Sequence, residues 1–226
     1  MKGKTALIAG ASGLVGNELL HILLEQAEYE RVQALVRRPL GKKHPKLVEV
    51  ITDFDKLGED QEPFKVDDVF CCLGTTIKKA KTREAMYKVD VDYPLKIAKM
   101  AQQNGATHFL LISSMNAHSN SRIPYSKMKG ILEEKVKDIP FKRISIIRPS
   151  LLLGNRSEFR LGEYTASKIF RGLSFFLKDS WKSHFGIEAK TVAQAMYHIA
   201  QLDNQGITTY SASSIEDIAK NRKIDK

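Results

Sequence analysis

The chain has 226 residues, 42% of them hydrophobic and 27% charged. That is enough for one sizeable α/β core and too little for two comfortable domains, and no run approaches the eighteen or more uncharged apolar residues of a membrane span. The net charge of +10 is concentrated in the second half, where residues 101–226 carry 19 Lys/Arg against 11 Asp/Glu and residues 1–100 carry 17 against 15; without a basic run interleaved with aromatics it reads as a solvated face, and no specific nucleic-acid partner is expected.

In chain order, short apolar β-branched runs alternate with segments of helical period, the signature of βαβ units and a parallel sheet. Strands are predicted at 4–9, 31–36, 47–51, 67–73, 107–113 and 143–148, with a short one at 207–211. Helices are predicted at 14–26, 83–104, 125–137, 163–177 and 190–202. The first run, KTALIA, is too short for a secretion signal and leads into glycines rather than a cleavage site, so it reads as a strand. The expected architecture is an α/β doubly wound parallel sheet, a Rossmann fold. One domain spans 1–226, with 150–190 contributing a small substrate-side cap. Residues 220–226 read as a frayed tail.

After the first strand stands Gly10-Ala-Ser12-Gly13-Leu14-Val15-Gly16, opening a helix. Glycines at these places allow a tight turn, close approach of backbone to a pyrophosphate and packing of helix on strand. The helix N-terminus then faces the phosphates. At the end of the second strand, where an acidic residue would bind the ribose of NAD, stand Arg37 and Arg38. Guanidinium groups suit the 2′-phosphate of NADP, so NADP(H) is the expected cofactor, although two solvated arginines would look the same. Asp53 after the third strand could accept from the adenine amino group or be an ordinary loop carboxylate. Leu73, Gly74 and Thr75 close the fourth strand, where glycine again permits close approach.

The adjacent Cys71 and Cys72 offer neither a disulfide framework nor metal-ligand spacing, so no metal is expected and a cytoplasmic location is.

The fifth strand ends in Ser113-Ser114, followed by Tyr125 and Lys129 four residues apart on one helical face. Carbonyl reduction needs a proton for oxygen as hydride reaches carbon, and a nearby ammonium favours the phenolate that lets tyrosine exchange that proton. Ser114, nearer than Ser113 to the strand's carboxyl edge, is the expected hydrogen-bond donor to the reacting oxygen. Lys129 could also hold the cofactor's ribose.

These residues resemble the short-chain dehydrogenase/reductase superfamily in its atypical, extended-like branch. Within it, CLGTT (72–76), YKVDVDYPLKIAKMA (87–101), HFLLISSMNA (108–117), YSKMKG (125–130) and RPSLLLGNRSEFRLGE (148–163) are similar to the Tat-interactive-protein-like oxidoreductases. The resemblance implies a Rossmann fold, bound NADPH and a reductase activity of undefined substrate. An NmrA-type protein, which binds the cofactor and regulates partners without catalysis, is the alternative it leaves open. Extended enzymes often have asparagine where this chain has Asp90, which leaves a proton relay there undecided. On the substrate side, residues 148–182 carry seven Lys/Arg against three Asp/Glu. Arg156, Arg160 or Arg171 could form a cationic rim to an apolar pocket for a small carbonyl or alcohol substrate bearing an anionic group or apolar tail; ordinary packing with solvated arginines is the other reading. The oligomeric state is not legible.

Overall fold

Seven parallel strands form the sheet of the computed structural model, which describes residues 3–58, 60–153 and 186–221. They are β1 (Lys4–Ala9), β2 (Tyr29–Val36), β3 (Leu47–Ile51), β4 (Asp68–Cys71), β5 (His108–Ile112), β6 (Arg143–Ile147) and β9 (Gly206–Tyr210). A separate two-stranded pair joins β7 (Leu152–Leu153) to β8 (Ile187–Glu188). The order across the large sheet is β3-β2-β1-β4-β5-β6-β9, so the winding direction reverses between β1 and β4. Ligands of open α/β sheets bind at such a reversal, beyond the carboxyl ends of the strands. This is the Rossmann fold expected from the alternating pattern.

Both faces of the sheet are covered at its centre, which is why β4 and β5 are buried along their whole length rather than alternating, while the edge strands β3 and β9 are much more exposed. From β1, Ala6 and Ile8 enter a core shared with α1 (Leu14–Glu25) and α6 (Ala189–Ala200). Leu7 and Ala9 enter the opposite core, shared with α4 (Tyr93–Gln103) and α5 (Pro124–Lys137). The shorter helices are α2 (Ile77–Ala80), α3 (Arg83–Tyr87) and α7 (Ala212–Asn221).

Two elements depart from the sequence reading. The single helix expected over 83–104 is three pieces: α3, a π-helical turn at Lys88–Asp92, and α4. Pro94 has no N–H to give the carbonyl four residues back, so the α-ladder cannot run through the junction. The tail beginning at 220 is helical as far as Asn221, because α7 lays Ala212, Ile215 and Ala219 against the core at spacings of three and four. The expected helix at 163–177, most of the 150–190 cap, and Arg156, Arg160 and Arg171 lie outside the described residues.

At the opposite, amino-terminal end of the sheet Asp68 is buried. Tyr29 donates to its Oδ2 at 2.7 Å, Lys4 Nζ lies 3.2 Å from that oxygen, and Arg143 Nη2 lies 3.6 Å from Oδ1. His108 Nδ1 is 3.8 Å from the same carboxylate. Burial, followed by the charges of Arg143 and Lys4, nevertheless pushes the His108 imidazole down to about 3, so Asp68 is balanced by the two cations and His108 is neutral.

Candidate active site

The cavity at the reversal point has a volume of about 740 Å³. Its walls come from the chain leaving four strands: Gly13–Val15 after β1, Cys72–Ile77 after β4, Ile112–Asn116 at the end of β5, and Pro149–Leu152 after β6. Ile123, just before α5, and the start of that helix through Tyr125, Met128 and Lys129 close one side.

The first wall needs its glycines. Gly10 has φ +90°, and a Cβ there would stand 2.7 Å from the carbonyl carbon of Cys72. A Cβ on Gly16 would stand 2.1 Å from the Gly10 carbonyl oxygen, so α1 starts directly against the turn. Gly13 caps α1 without any side-chain hydrogen bond, and no acidic residue lies in the first turn. The free N–H groups and positive dipole end of α1 therefore open onto the cavity through Gly13, Leu14 and Val15, which fits a pyrophosphate. The glycine cradle and the helix end fit a dinucleotide.

The other expected nucleotide contacts divide. Leu73, Gly74 and Thr75 line the cavity. Ser12, Arg37, Arg38 and Asp53 are exposed and stand outside its lining. Arg37 and Arg38 follow the last residue of β2, on the strand adjoining the glycine turn. Asp53 caps the short 3₁₀ turn Phe54–Lys56 by accepting from the Asp55 N–H at 3.0 Å, which engages one carboxylate oxygen locally.

On the catalytic side, Ser114, Tyr125 and Lys129 all line the one cavity. The two serines have different fates. Ser113 is 3% exposed and donates to Glu133 of α5, whose carboxylate is also held by Arg148, with Nε 3.0 Å from Oε1. That closed triad pins the ends of β5 and β6 to α5 and leaves Ser114, half-buried, at the cavity wall. The backbone reinforces this, because Ser113 N–H donates to Ile147 at 2.8 Å and Met115 N–H to Pro149 at 3.1 Å.

Lys129 is 1% exposed. Its Nζ lies 5.9 Å from the centre of the Tyr125 ring and donates to the carbonyls of Leu73 at 3.4 Å and Ile112 at 3.5 Å. It also forms a 3.1 Å ion pair with Oδ1 of Asp90, which is 0% exposed, while Asp90 Oδ2 accepts from the Thr75 N–H at 3.0 Å. Asp90 sits in the π-helical turn, a kind of irregularity that is concentrated at functional sites.

Sequence reasoning missed two members of this site. Gly130 follows Lys129, and a Cβ there would stand 2.2 Å from the carbonyl carbon of His118, so the loop leaving β5 lies directly on α5. The signal was the glycine inside a helical run in YSKMKG. The apolar mouth is the other: Ile77, Met115 and Ile123 are 40%, 45% and 60% exposed and all border the cavity. Burial raises the thiols of Cys71, to about 11, and Cys72, so neither supplies a ready thiolate. Among the described residues no cluster could hold a metal, and no helix is long and apolar enough to cross a membrane.

Comparison with known proteins identifies the family and the fold. The model of the NAD dependent epimerase/dehydratase family matches residues 6–146, more than half of the chain. Rat protein HTATIP2 is 40% identical over 200 residues, covering 87% of this chain and 81% of its own. The mitochondrial protein FMP52 of Eremothecium gossypii is 34% identical over 167 residues, covering 74% and 75%. Among solved structures, MoeE5 in complex with UDP-glucuronic acid and NAD superposes with a TM-score of 0.70 at 17% identity, over 92% of this chain and 76% of that one. WbmH of Bordetella bronchiseptica in complex with NAD+ gives 0.69 at 16% identity, over 96% and 79%. At these identities the structures support the fold.

The expectation of a cytoplasmic location is corrected by the fungal relatives, which are named mitochondrial. Two adjacent cysteines that offer no disulfide framework do not distinguish the cytosol from an organelle interior. With a family model over residues 6–146 and a relative 40% identical over most of its length, the chain belongs to the NAD dependent epimerase/dehydratase family, the extended form of the short-chain dehydrogenases/reductases, alongside the Tat-interactive-protein relatives.

Proposed function

We propose that this protein is an NADP(H)-dependent oxidoreductase that reduces a small carbonyl compound to its alcohol, or runs the reverse oxidation. The observation that carries this reading is the meeting of Ser114, Tyr125 and Lys129 in one cavity with the glycine turn and the start of α1. The bound dinucleotide supplies the hydride. Tyr125 gives its phenolic proton to the carbonyl oxygen as the carbon is reduced, and in the reverse direction takes it back. The Ser114 hydroxyl donates a hydrogen bond to the same oxygen and stabilises the negative charge that develops there. Lys129, held from three sides, orients Tyr125 and offers its ammonium to the cofactor's ribose hydroxyls.

Arg37 and Arg38 support NADP over NAD: they are exposed, follow β2, and carry the charge and planar donors that a 2′-phosphate needs. The substrate side is read from the mouth. Ile77, Met115 and Ile123, with Met86, Leu151 and Leu152 behind them, suit a carbonyl compound with an apolar tail or ring.

A panel of aldehydes and ketones assayed with NADPH tests the reading. The expected result is turnover of apolar members, abolished in Tyr125→Phe with NADPH binding retained. Tight NADPH binding with no turnover on any member would replace the enzyme with a cofactor-binding regulator of the NmrA type.

A further inference from the structure

Lys129 is a buried cation, and the structure gives it a buried anion. Asp90 Oδ1 stands 3.1 Å from Lys129 Nζ, and the carboxylate is fixed from its other side by the Thr75 N–H at 3.0 Å. Neither residue is more than 1% exposed. An asparagine at position 90 could still accept from the Thr75 N–H through its amide oxygen, so a neutral side chain would serve as a tether. What asparagine could not do is cancel the charge on Lys129.

We propose that Asp90 is a positioning residue that acts through Lys129: it fixes the ammonium between the ends of β4 and β5 and offsets its charge, so that Tyr125 works beside a neutral ion pair rather than a bare cation. This rests on the reading of Tyr125 as the proton donor. Asp90 reaches Lys129 from the π-helical turn, in the middle of the break between α3 and α4.

Among the described residues, the other charged and titratable groups near the pair are neutral, engaged elsewhere or open to solvent. Cys71, which ends β4, and Cys72 after it feel the Lys129 charge, but burial pushes both thiols up, so they remain neutral. Glu133, one helical turn beyond Lys129 on α5, is engaged by Arg148 and Ser113. Lys88, in the same turn as Asp90, is drawn outward to Asp55 at 2.9 Å. Arg83 of α3 borders the cavity and is exposed, where solvent screens it. Among the described residues, Asp90 is the carboxylate paired with Lys129.

The test is a near-ultraviolet titration of tyrosinate absorbance in the protein without cofactor, with the curve of Tyr125→Phe subtracted to isolate Tyr125. It is made in the natural sequence, in Asp90→Asn and in Asp90→Glu. A bare ammonium favours the phenolate more than a neutralised one, so the midpoint in Asp90→Asn is expected lower by about one pH unit. Asp90→Glu should keep the midpoint of the natural sequence. An unmoved or raised midpoint in Asp90→Asn overturns the proposal. No turnover is required, so failure here is distinct from failure of the reductase reading. Should Asp90→Asn not fold, Asp90→Asn with Lys129→Met replaces it: removing both charges should restore a cooperative melt above that of either single variant. A double variant melting no higher than the singles would equally overturn it.

Discussion

Gly130 of α5 and His118 of the β5 exit loop approach so closely that a Cβ at 130 would stand 2.2 Å from the His118 carbonyl carbon and 2.2 Å from the Ser119 nitrogen. Both neighbours are backbone, and the loop is also tied down by the His118 N–H, which donates to the Ser126 carbonyl at 3.1 Å. Gly130→Ala must therefore displace the loop. It should destabilise the fold by about 3 kcal/mol, the upper part of the usual range for overpacking, visible as a lowered thermal midpoint. Because the same loop carries Ser114, residual folded protein should also lose turnover more than cofactor affinity.

Cofactor choice is read at Arg37 and Arg38. A charge-assisted hydrogen bond contributes about 1.5–3 kcal/mol, so Arg37→Ala with Arg38→Ala should weaken NADPH binding by about ten- to a hundredfold and leave NADH nearly unchanged. Fluorescence titration with the two nucleotides checks this; equal affinity of the unmutated protein for both would sink the assignment.

The apolar mouth predicts a change confined to substrate binding. Replacing Ile123 by lysine puts a charge on a rim residue that is 60% exposed, where it disturbs the core little. Losing contact with one large aliphatic side chain costs about 1.5 kcal/mol, so KM for a long-chain aldehyde should rise about tenfold with kcat held. A small carbonyl substrate such as acetaldehyde should be indifferent.

His108 sets a pH dependence of stability remote from the site. Its imidazole falls from 6.5 to about 3 in the fold, chiefly through burial. Between those values the unfolded chain binds a proton that the folded chain refuses, so stability from this group is present above 6.5 and is lost as pH falls towards 3. Thermal midpoints measured across that window should drop with acidity, and His108→Gln, which can keep a hydrogen bond to Ser145, should flatten the slope.

The strands were legible because a sheet covered on both faces demands continuous apolar runs, and each predicted strand matches an observed one to within two residues at either end. The glycine turn was legible because Gly13 and Gly16 are set by contacts with the Gly10 carbonyl a few residues back, although Gly10 itself answers to the distant backbone of Cys72. Asp90 was noticed only as a departure, since its role depends on a residue 39 positions away and on a π-helical turn that leaves no periodic trace. The split of the 83–104 helix was announced by Pro94 and overridden by an apolar face that continues across it. Ser114 was preferred to Ser113 on position alone; what separates them, the Glu133–Arg148 pair, is assembled from α5 and the end of β6 and has no local signature.

The docking of α6 on α1 sets an order for synthesis. Tyr197 donates to the Gln26 side chain at 3.2 Å, Gln201 donates to the Tyr29 hydroxyl at 3.3 Å, and Leu19, Leu20 and Leu23 share a core with Val192, Ala193 and Met196. The glycine turn and α1 are synthesised well before the apolar cover for that helix, which comes only with α6 at Ala189–Ala200. A nascent chain stopped before residue 186 carries the glycine turn with its helix uncovered on one face, a species expected to be sticky and to need chaperone protection until α6 has been made.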